Sequence, residues 1–132
     1  MRITLGAVLL LVSLAPVLAE DLRVELNSIE TAENRCRLTF VIENKGKTAL
    51  ESLKLDLALF NTEGAVYRRM LVDMAPLRAS KTLVKTFEAD GDCARLAAVL
   101  VNEVTACQPG EPGACQDQLA PSSRVKAVRF YK

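Results

Sequence analysis

The sequence contains no histidine and no tryptophan. The absence of histidine removes the side chain used most often as a general base and as a metal ligand, and it excludes a Ser-His-Asp or Cys-His catalytic site. The sequence also lacks a glycine-rich phosphate-binding loop and a Cys-x-x-Cys pair, so it indicates neither P-loop chemistry nor thioredoxin-like redox chemistry. We therefore predict that the protein is not an enzyme and has no catalytic residues.

An excess of either charge is missing as well. The chain has 17 Lys and Arg against 16 Asp and Glu, and Arg2 is the one charged residue before Glu20. Residues 20–132 are therefore neutral overall. Nucleic-acid-binding domains usually carry a basic excess, so we expect no nucleic-acid partner.

The first nineteen residues have the pattern of an export signal. Arg2 gives a positive start, Ile3–Ala15 is uncharged and rich in Leu and Val, and Pro16–Ala19 precedes an expected cleavage before Glu20. An uncleaved anchor is the alternative, because the apolar run Ile3–Ala19 is at the lower limit of lengths that span a bilayer. We expect cleavage, and hence a periplasmic or secreted protein without stable membrane insertion.

Four cysteines, Cys36, Cys93, Cys107 and Cys115, follow this segment. An even number in an exported chain predicts two disulfides. Zinc is disfavoured, because structural zinc sites favour cysteines about two to four residues apart, a spacing not found here. Cys107 and Cys115 bracket a short loop and are expected to pair, which leaves Cys36 with Cys93. Bridges from Cys36 to Cys107 or Cys115 are the alternatives.

The alternation of apolar residues predicts a β protein. Leu53, Leu55, Leu57 and Leu59 occupy every second position and predict one buried strand face. Asn61–Gly64 then predicts a hairpin turn, with a positive φ at Gly64. Seven strands are predicted in all, the pattern of a two-sheet sandwich: Leu22–Asn27, Cys36–Glu43, Leu53–Phe60, Val66–Met74, Thr82–Phe87, Leu96–Val101 and Arg124–Tyr131.

The apolar run Leu96–Val101 is ambiguous. A helix over Arg95–Cys107 is possible, but the β-branched residues favour a central strand covered on both faces. The following segment, Gln108–Ala114, contains two prolines and two glycines and is predicted as a loop. No linker divides the chain, so residues 20–132 are expected to form one domain.

The segment Val41–Phe87 resembles FxLYD-type bacterial sandwich domains. Phe60 replaces the usual Tyr of that pattern, and Asn61 replaces the usual Asp. The whole chain is also similar to small four-cysteine exported proteins of proteobacteria. The resemblance implies no catalytic residues and an immunoglobulin-like sandwich in the envelope. Together with the strand and cysteine patterns, it predicts an all-β, seven-stranded immunoglobulin-like two-sheet sandwich with two disulfides. The matching residues are Asn44, Gly46, Leu53, Leu55, Leu57, Leu59, Phe60, Asn61, Gly64, Val66 and Pro76.

Two surfaces are candidates for binding a partner. The first is a basic cluster, which would gather on one region if the fourth and fifth strands are neighbours; its residues are Arg68, Arg69, Arg78, Lys81 and Lys85. It would suit phospholipid head groups, an acidic glycan or an acidic protein, although an ordinary charged face is the alternative. Arg68 falls on the predicted inward face, which suggests a strand end or a bulge.

The second candidate is the loop between Cys107 and Cys115, with Gly110, Glu111 and Pro112 at its tip. A loop stiffened by a crosslink loses less entropy on binding; a simple connection is the alternative.

Metal binding is not expected. Met70 and Met74 are predicted to pack in the core rather than to bind copper. A solvated turn explains Glu88, Asp90 and Asp92 better than a weak calcium site does. We expect a binding or structural module of the bacterial envelope without a cofactor, acting on a protein or another envelope component. The alternative is a periplasmic carrier of a small ligand or a metal.

Overall fold

A computed structural model describes residues 1–11 and 20–132. Residues 1–11 are exposed and form no helix or strand. The predicted export signal, residues 1–19, lies partly outside the described residues, because residues 12–19 fall in the gap. In the described part of the chain, no helix has the length and apolar character needed to cross a membrane.

The described part of the chain is all-β, with eight strands rather than the seven predicted. Two four-stranded sheets form, sheet I in the order β5-β2-β1-β7 and sheet II in the order β4-β3-β6-β8. A short 3₁₀ helix, Cys93–Arg95, precedes β6. The elements are β1 (Leu22–Ala32), β2 (Arg35–Asn44), β3 (Ser52–Asn61), β4 (Val66–Asp73), β5 (Lys81–Asp90), β6 (Leu96–Gln108), α1 (Pro112–Gln118), β7 (Leu119–Ser123) and β8 (Arg129–Tyr131).

The leucines of β3 form a buried face, as predicted. All four are at most 1% exposed, because β3 lies between β4 and β6 and faces sheet I across the core. The predicted hairpin follows at once. The Asn61 Oδ1 accepts hydrogen bonds from the backbone N–H groups of Glu63 and Ala65, and Gly64 has a φ of +84°, which a residue without Cβ adopts at no steric cost.

The strand prediction for Leu96–Val101 is confirmed, and the helix alternative is wrong. The expectation that both faces are covered is also wrong. Val99 and Val101 are buried in the core, whereas Leu100 is half-buried and Asn102 is exposed. The pairing of β3 with β6 contains three register irregularities. Val99 and Val101 nevertheless keep their inward alternation, and the outward apolar residues of β6 are half-buried because the outer face of sheet II is only partly covered.

The predicted last strand, Arg124–Tyr131, is wrong in its bounds. The chain instead forms β7, which pairs parallel with β1, and then the three-residue β8, which pairs parallel with β6. Between them the chain changes sheets through a turn in which the Val128 N–H donates to the Val125 carbonyl. The missed strand β7 includes Pro121, which an edge strand tolerates, and its sequence shows no alternation.

The predicted loop Gln108–Ala114 is wrong in its second half, because α1 begins at Pro112. Proline suits the first position of a helix, where its missing N–H is not needed. The helix lies beside the part of β6 that β8 leaves unpaired, and the Gln116 Oε1 accepts a hydrogen bond of 3.3 Å from the Val104 N–H. At the C-terminus, the Lys132 Nζ donates to the Gln116 carbonyl at 2.8 Å.

Both disulfides have the predicted pairing. Cys36 in sheet I is joined to Cys93, directly before β6 of sheet II, with the two Cα atoms 4.8 Å apart. Cys107 at the end of β6 is joined to Cys115 in α1, with a Cα–Cα distance of 6.5 Å. The first bridge therefore ties the two sheets together, and the second fixes α1 to its strand.

The two ends of the sandwich differ. The α1 end carries the connection from β2 to β3, the connection from β4 to β5, and α1 itself. The Cys36 end carries the turns between β1 and β2 and between β3 and β4, and the 3₁₀ helix.

Candidate binding surface

The basic cluster predicted from the sequence does not form. Its premise was that the fourth and fifth strands are neighbours, but β4 is an edge strand of sheet II and β5 is an edge strand of sheet I. Three of the five cations make structural contacts instead, and two remain exposed at the α1 end.

Arg68 links the two sheets. Its Nη2 lies 2.9 Å from the Oδ2 of Asp90 at the end of β5. The predicted bulge at this position is confirmed, because Leu59 pairs with Arg68 and Phe60 pairs with Val66, which leaves Tyr67 as the extra residue. Arg68 pairs with the buried Leu59 and so stays on the inward face of β4, where its position on an edge strand lets the guanidinium reach Asp90 of the other sheet.

Lys85 points inward on β5, opposite Phe40. Its ammonium donates to the carbonyls of Asp73 at 2.9 Å and Ala75 at 2.6 Å, in the connection that leaves β4. A charge directed inward from an edge strand discourages the addition of another strand. We therefore assign Lys85 to closing the side of the sandwich rather than to binding a partner.

Arg69 forms an ion pair with Asp56 across the outer face of sheet II. The Asn102 Nδ2 donates to the same carboxylate at 3.0 Å. Two hydrogen bonds hold the pKa of Asp56 below its ordinary value. The bond from Arg69 contributes most, and the bond from Asn102 contributes next.

This network predicts an acid dependence. A carboxyl group with a lowered pKa in the folded state stabilises the fold above its unfolded pKa of about 3.9, and this contribution is lost as the pH falls through the folded pKa. We therefore expect the melting temperature of the wild-type protein to fall more steeply below about pH 4 than that of Asp56→Asn. Thermal melts across this range provide the test, and parallel curves would show that the ion pair contributes nothing to stability.

Arg78 and Lys81 lie at the α1 end, where the structure adds two cations that the sequence reasoning missed. The connection from β2 to β3 carries Lys45 and Lys47, and it meets the connection from β4 to β5 through a hydrogen bond from the Ser80 N–H to the Gly46 carbonyl. We name Lys45, Lys47, Arg78 and Lys81 the basic pole. All four are exposed, and none takes part in an ion pair among the described residues.

Carboxylates also lie near the basic pole. Asp21 and Glu43 are half-buried, and Glu51 is exposed. The carboxylate of Asp21 lies beside Gly46. Its Oδ2 is 3.6 Å from the position that a Cβ atom would occupy at Gly46. Glu20 and Glu111 are exposed at this end as well, so the basic pole is a set of exposed cations with acids around it.

Asn44 positions both turns of the basic pole. This residue is only 2% exposed. Its Nδ2 donates to the carbonyls of Thr48 at 2.9 Å and Arg78 at 3.2 Å, and its Oδ1 accepts from the Gly46 N–H at 3.0 Å. One amide therefore bridges two connections that are far apart in the sequence.

Replacing Asn44 with alanine should be costly for the fold. The change leaves one N–H donor and two carbonyl groups without this partner, and an unsatisfied buried polar group costs about 1–3 kcal/mol. We expect Asn44→Ala to lower the free energy of unfolding by about 2 kcal/mol or more, measured by urea denaturation. Asn27→Ala, on the half-exposed part of β1, should stay within about 0.5 kcal/mol; equal losses would show that Asn44 has no special structural role.

The predicted loop tip lies at this same end. Gly110 and Glu111 are exposed, and Pro112 is the half-buried first residue of α1. The Glu51 N–H donates to the Gln108 carbonyl at 2.9 Å, which attaches this loop to the connection from β2. The structure therefore brings the loop tip to the end that carries Arg78 and Lys81, but not to Arg68, Arg69 or Lys85.

A shallow cleft lies between the connection from β2 to β3 and α1. Lys47, Thr48, Leu50, Cys115 and Gln118 are among its lining residues, and its volume is about 160 Å³. Sites for small molecules usually measure about 300–1,000 Å³. The cleft is therefore too small to enclose a cofactor-sized ligand.

The residues considered for metal binding have other partners. Asp90 binds Arg68, Glu88 binds Arg37 at 3.0 Å, and hydrogen bonds from the Ala94 N–H and the Thr31 hydroxyl hold the pKa of Asp92 below its ordinary value. Met74 is fully buried and Met70 packs against the core. Over residues 1–11 and 20–132, no group of three or more His, Cys, Asp or Glu could hold a metal ion.

Comparisons with protein-family models, with curated proteins and with solved structures find no match for this chain.

Proposed function

We propose that this chain is an exported, non-enzymatic binding module of the bacterial envelope, whose basic pole contacts an anionic partner. The observation that carries the proposal is a set of four exposed cations that take part in no ion pair among the described residues, three of them on two turns that are hydrogen-bonded to each other and the fourth, Lys81, at the first residue of β5. Because the sheets and Asn44 hold these turns, the cations are positioned before the partner arrives. Such preorganisation reduces the entropy lost on binding.

The compartment is part of the proposal and rests on two features. One is the signal-like segment, Arg2 to Ala19. The other is the pair of disulfides, which persist in oxidising compartments and are rare in the cytosol.

The immunoglobulin-like relationship is also proposed. It is supported by the order β5-β2-β1 in one sheet and β4-β3-β6 in the other. It is also supported by the disulfide from Cys36 in β2 to Cys93 just before β6, because immunoglobulin domains join the corresponding strands of their two sheets. The FxLYD resemblance covers β2 to β5 of this arrangement. The parallel strands β7 and β8 depart from the antiparallel pattern.

Retention in the envelope tests the function. The basic-pole variant carries Lys45→Gln, Lys47→Gln, Arg78→Gln and Lys81→Gln. The matched control removes the same number of charges through Arg95→Gln, Arg124→Gln, Lys126→Gln and Arg129→Gln, four exposed residues away from the basic pole that likewise take part in no ion pair among the described residues. Each full-length chain is expressed in a bacterial host, and the envelope is sedimented at low salt.

We expect the wild-type and control proteins to sediment with the envelope. Both should be released at about 1 M salt, where the screening length is about 3 Å. The basic-pole variant should already be soluble at low salt. Sedimentation of this variant to the wild-type extent would contradict the proposed function.

A further inference from the structure

The basic pole lies where the preceding chain enters the domain. Strand β1 begins at Leu22, and the Lys45 N–H donates to the Asp21 carbonyl at 2.8 Å. By sequence, the apolar run Ile3–Ala19 comes directly before Glu20. Its length is close to the lower limit of about 17 residues for a membrane span. While that segment is attached and inserted, the α1 end is the end of the domain nearest the membrane.

The shape of the basic pole suits a flat surface rather than an enclosed ligand. The four cations extend from two turns and from the first residue of β5, and the neighbouring cleft measures only about 160 Å³. Three of the four are lysines, whose ammonium groups bind phosphate as point charges without the fixed geometry of a guanidinium. An array of phosphate head groups satisfies such cations in many arrangements.

Acids beside the basic pole make the expected attraction moderate and salt-sensitive. Four exposed cations lie at this end together with the half-buried Asp21 and Glu43 and the exposed Glu20, Glu51 and Glu111. A basic side chain near an anionic bilayer strengthens binding by about fivefold. The attraction falls off within a screening length of about 8 Å at physiological salt.

We infer that the anionic partner of the basic pole is the phospholipid surface of a membrane, which the domain contacts with its α1 end. This inference rests on the proposed function, because it names the partner of the same site. It differs from membrane insertion, since only head groups are contacted. The domain can therefore stay at the membrane surface after the apolar segment has been removed.

Vesicle binding tests the inference on residues 20–132. This part contains all the helices, strands and buried core residues that the structure describes, and residues 1–11 are exposed outside it. The wild-type protein, the basic-pole variant and the matched control are sedimented with two kinds of vesicle. One kind is pure phosphatidylcholine, and the other contains about 30% phosphatidylglycerol, enough to give a negative surface potential. Binding to immobilised polyglutamate is measured in parallel.

We expect the wild-type and control proteins to bind the phosphatidylglycerol vesicles and not the pure phosphatidylcholine vesicles. The basic-pole variant should bind at least about tenfold more weakly. Absence of wild-type binding to phosphatidylglycerol vesicles, or equal binding by the variant, would overturn the inference. Binding to polyglutamate that needs the basic pole, without vesicle binding, would also overturn it but leave the proposed function standing. If envelope retention, polyglutamate binding and vesicle binding are all independent of the basic pole, both proposals are wrong.

Discussion

Replacing Leu57 with alanine is expected to lower the free energy of unfolding by about 2–5 kcal/mol, because the change combines a lost transfer energy with a cavity. Leu57 is 1% exposed and pairs with Met70 on one side and Val101 on the other. It therefore lies at the centre of sheet II, where the surrounding strands have little freedom to fill the space. Urea denaturation measures the loss.

The matched control is Lys54→Ala on the same strand. Lys54 faces outward and is exposed, so its replacement should change the free energy of unfolding by no more than about 0.5 kcal/mol. Asp56 is a poorer control, because its carboxylate binds Arg69 and Asn102. Equal losses at Leu57 and Lys54 would mean that the register of β3 is wrong.

Removing the Cys36–Cys93 bridge should have the second large effect. Its loop spans 57 residues, for which chain entropy gives about 4 kcal/mol, against about 2.5 kcal/mol for the 8-residue loop of Cys107–Cys115. We expect the double variant Cys36→Ala, Cys93→Ala to be destabilised by about 4 kcal/mol and to be partly unfolded at 37 °C. The loss should be larger than that of Cys107→Ala, Cys115→Ala.

Chemical denaturation of the two double variants in parallel provides the comparison. An equal or larger loss from the Cys107–Cys115 variant would contradict the assignment of the long bridge as the main tie between the sheets. A second readout is available for the short bridge. Its removal should leave the core intact but release α1 from β6, which hydrogen exchange at the Val104 N–H would detect.

The features predicted correctly from the sequence depend on short-range information. The alternation of Leu53 to Leu59 and the turn at Gly64 lie within one hairpin, and both follow from side-chain periodicity and backbone sterics. The local spacing of Cys107 and Cys115 fixed one bridge, and elimination then fixed the other.

The features that were missed depend on which distant segments meet. β4 and β5 follow each other in the sequence but belong to different sheets, so the predicted basic cluster was split. β7 and β8 are short and pair parallel with distant strands, and no alternation of apolar residues predicts them. Lys45 and Lys47 could be read as turn residues, but only the contact of Asn44 with Arg78 shows which other turn they join.

Site-specific crosslinking in the native envelope tests the central claim most directly, which is that one end of this sandwich contacts an anionic envelope component. A photoreactive side chain is placed at the position of Lys47 in one variant and at the position of Lys126, outside the basic pole, in another. After irradiation of intact cells, mass spectrometry identifies the adducts. The account predicts adducts to phospholipid or another anionic component from position 47 and none from position 126. Equal crosslinking from both positions, or crosslinking from position 126 alone, would contradict it.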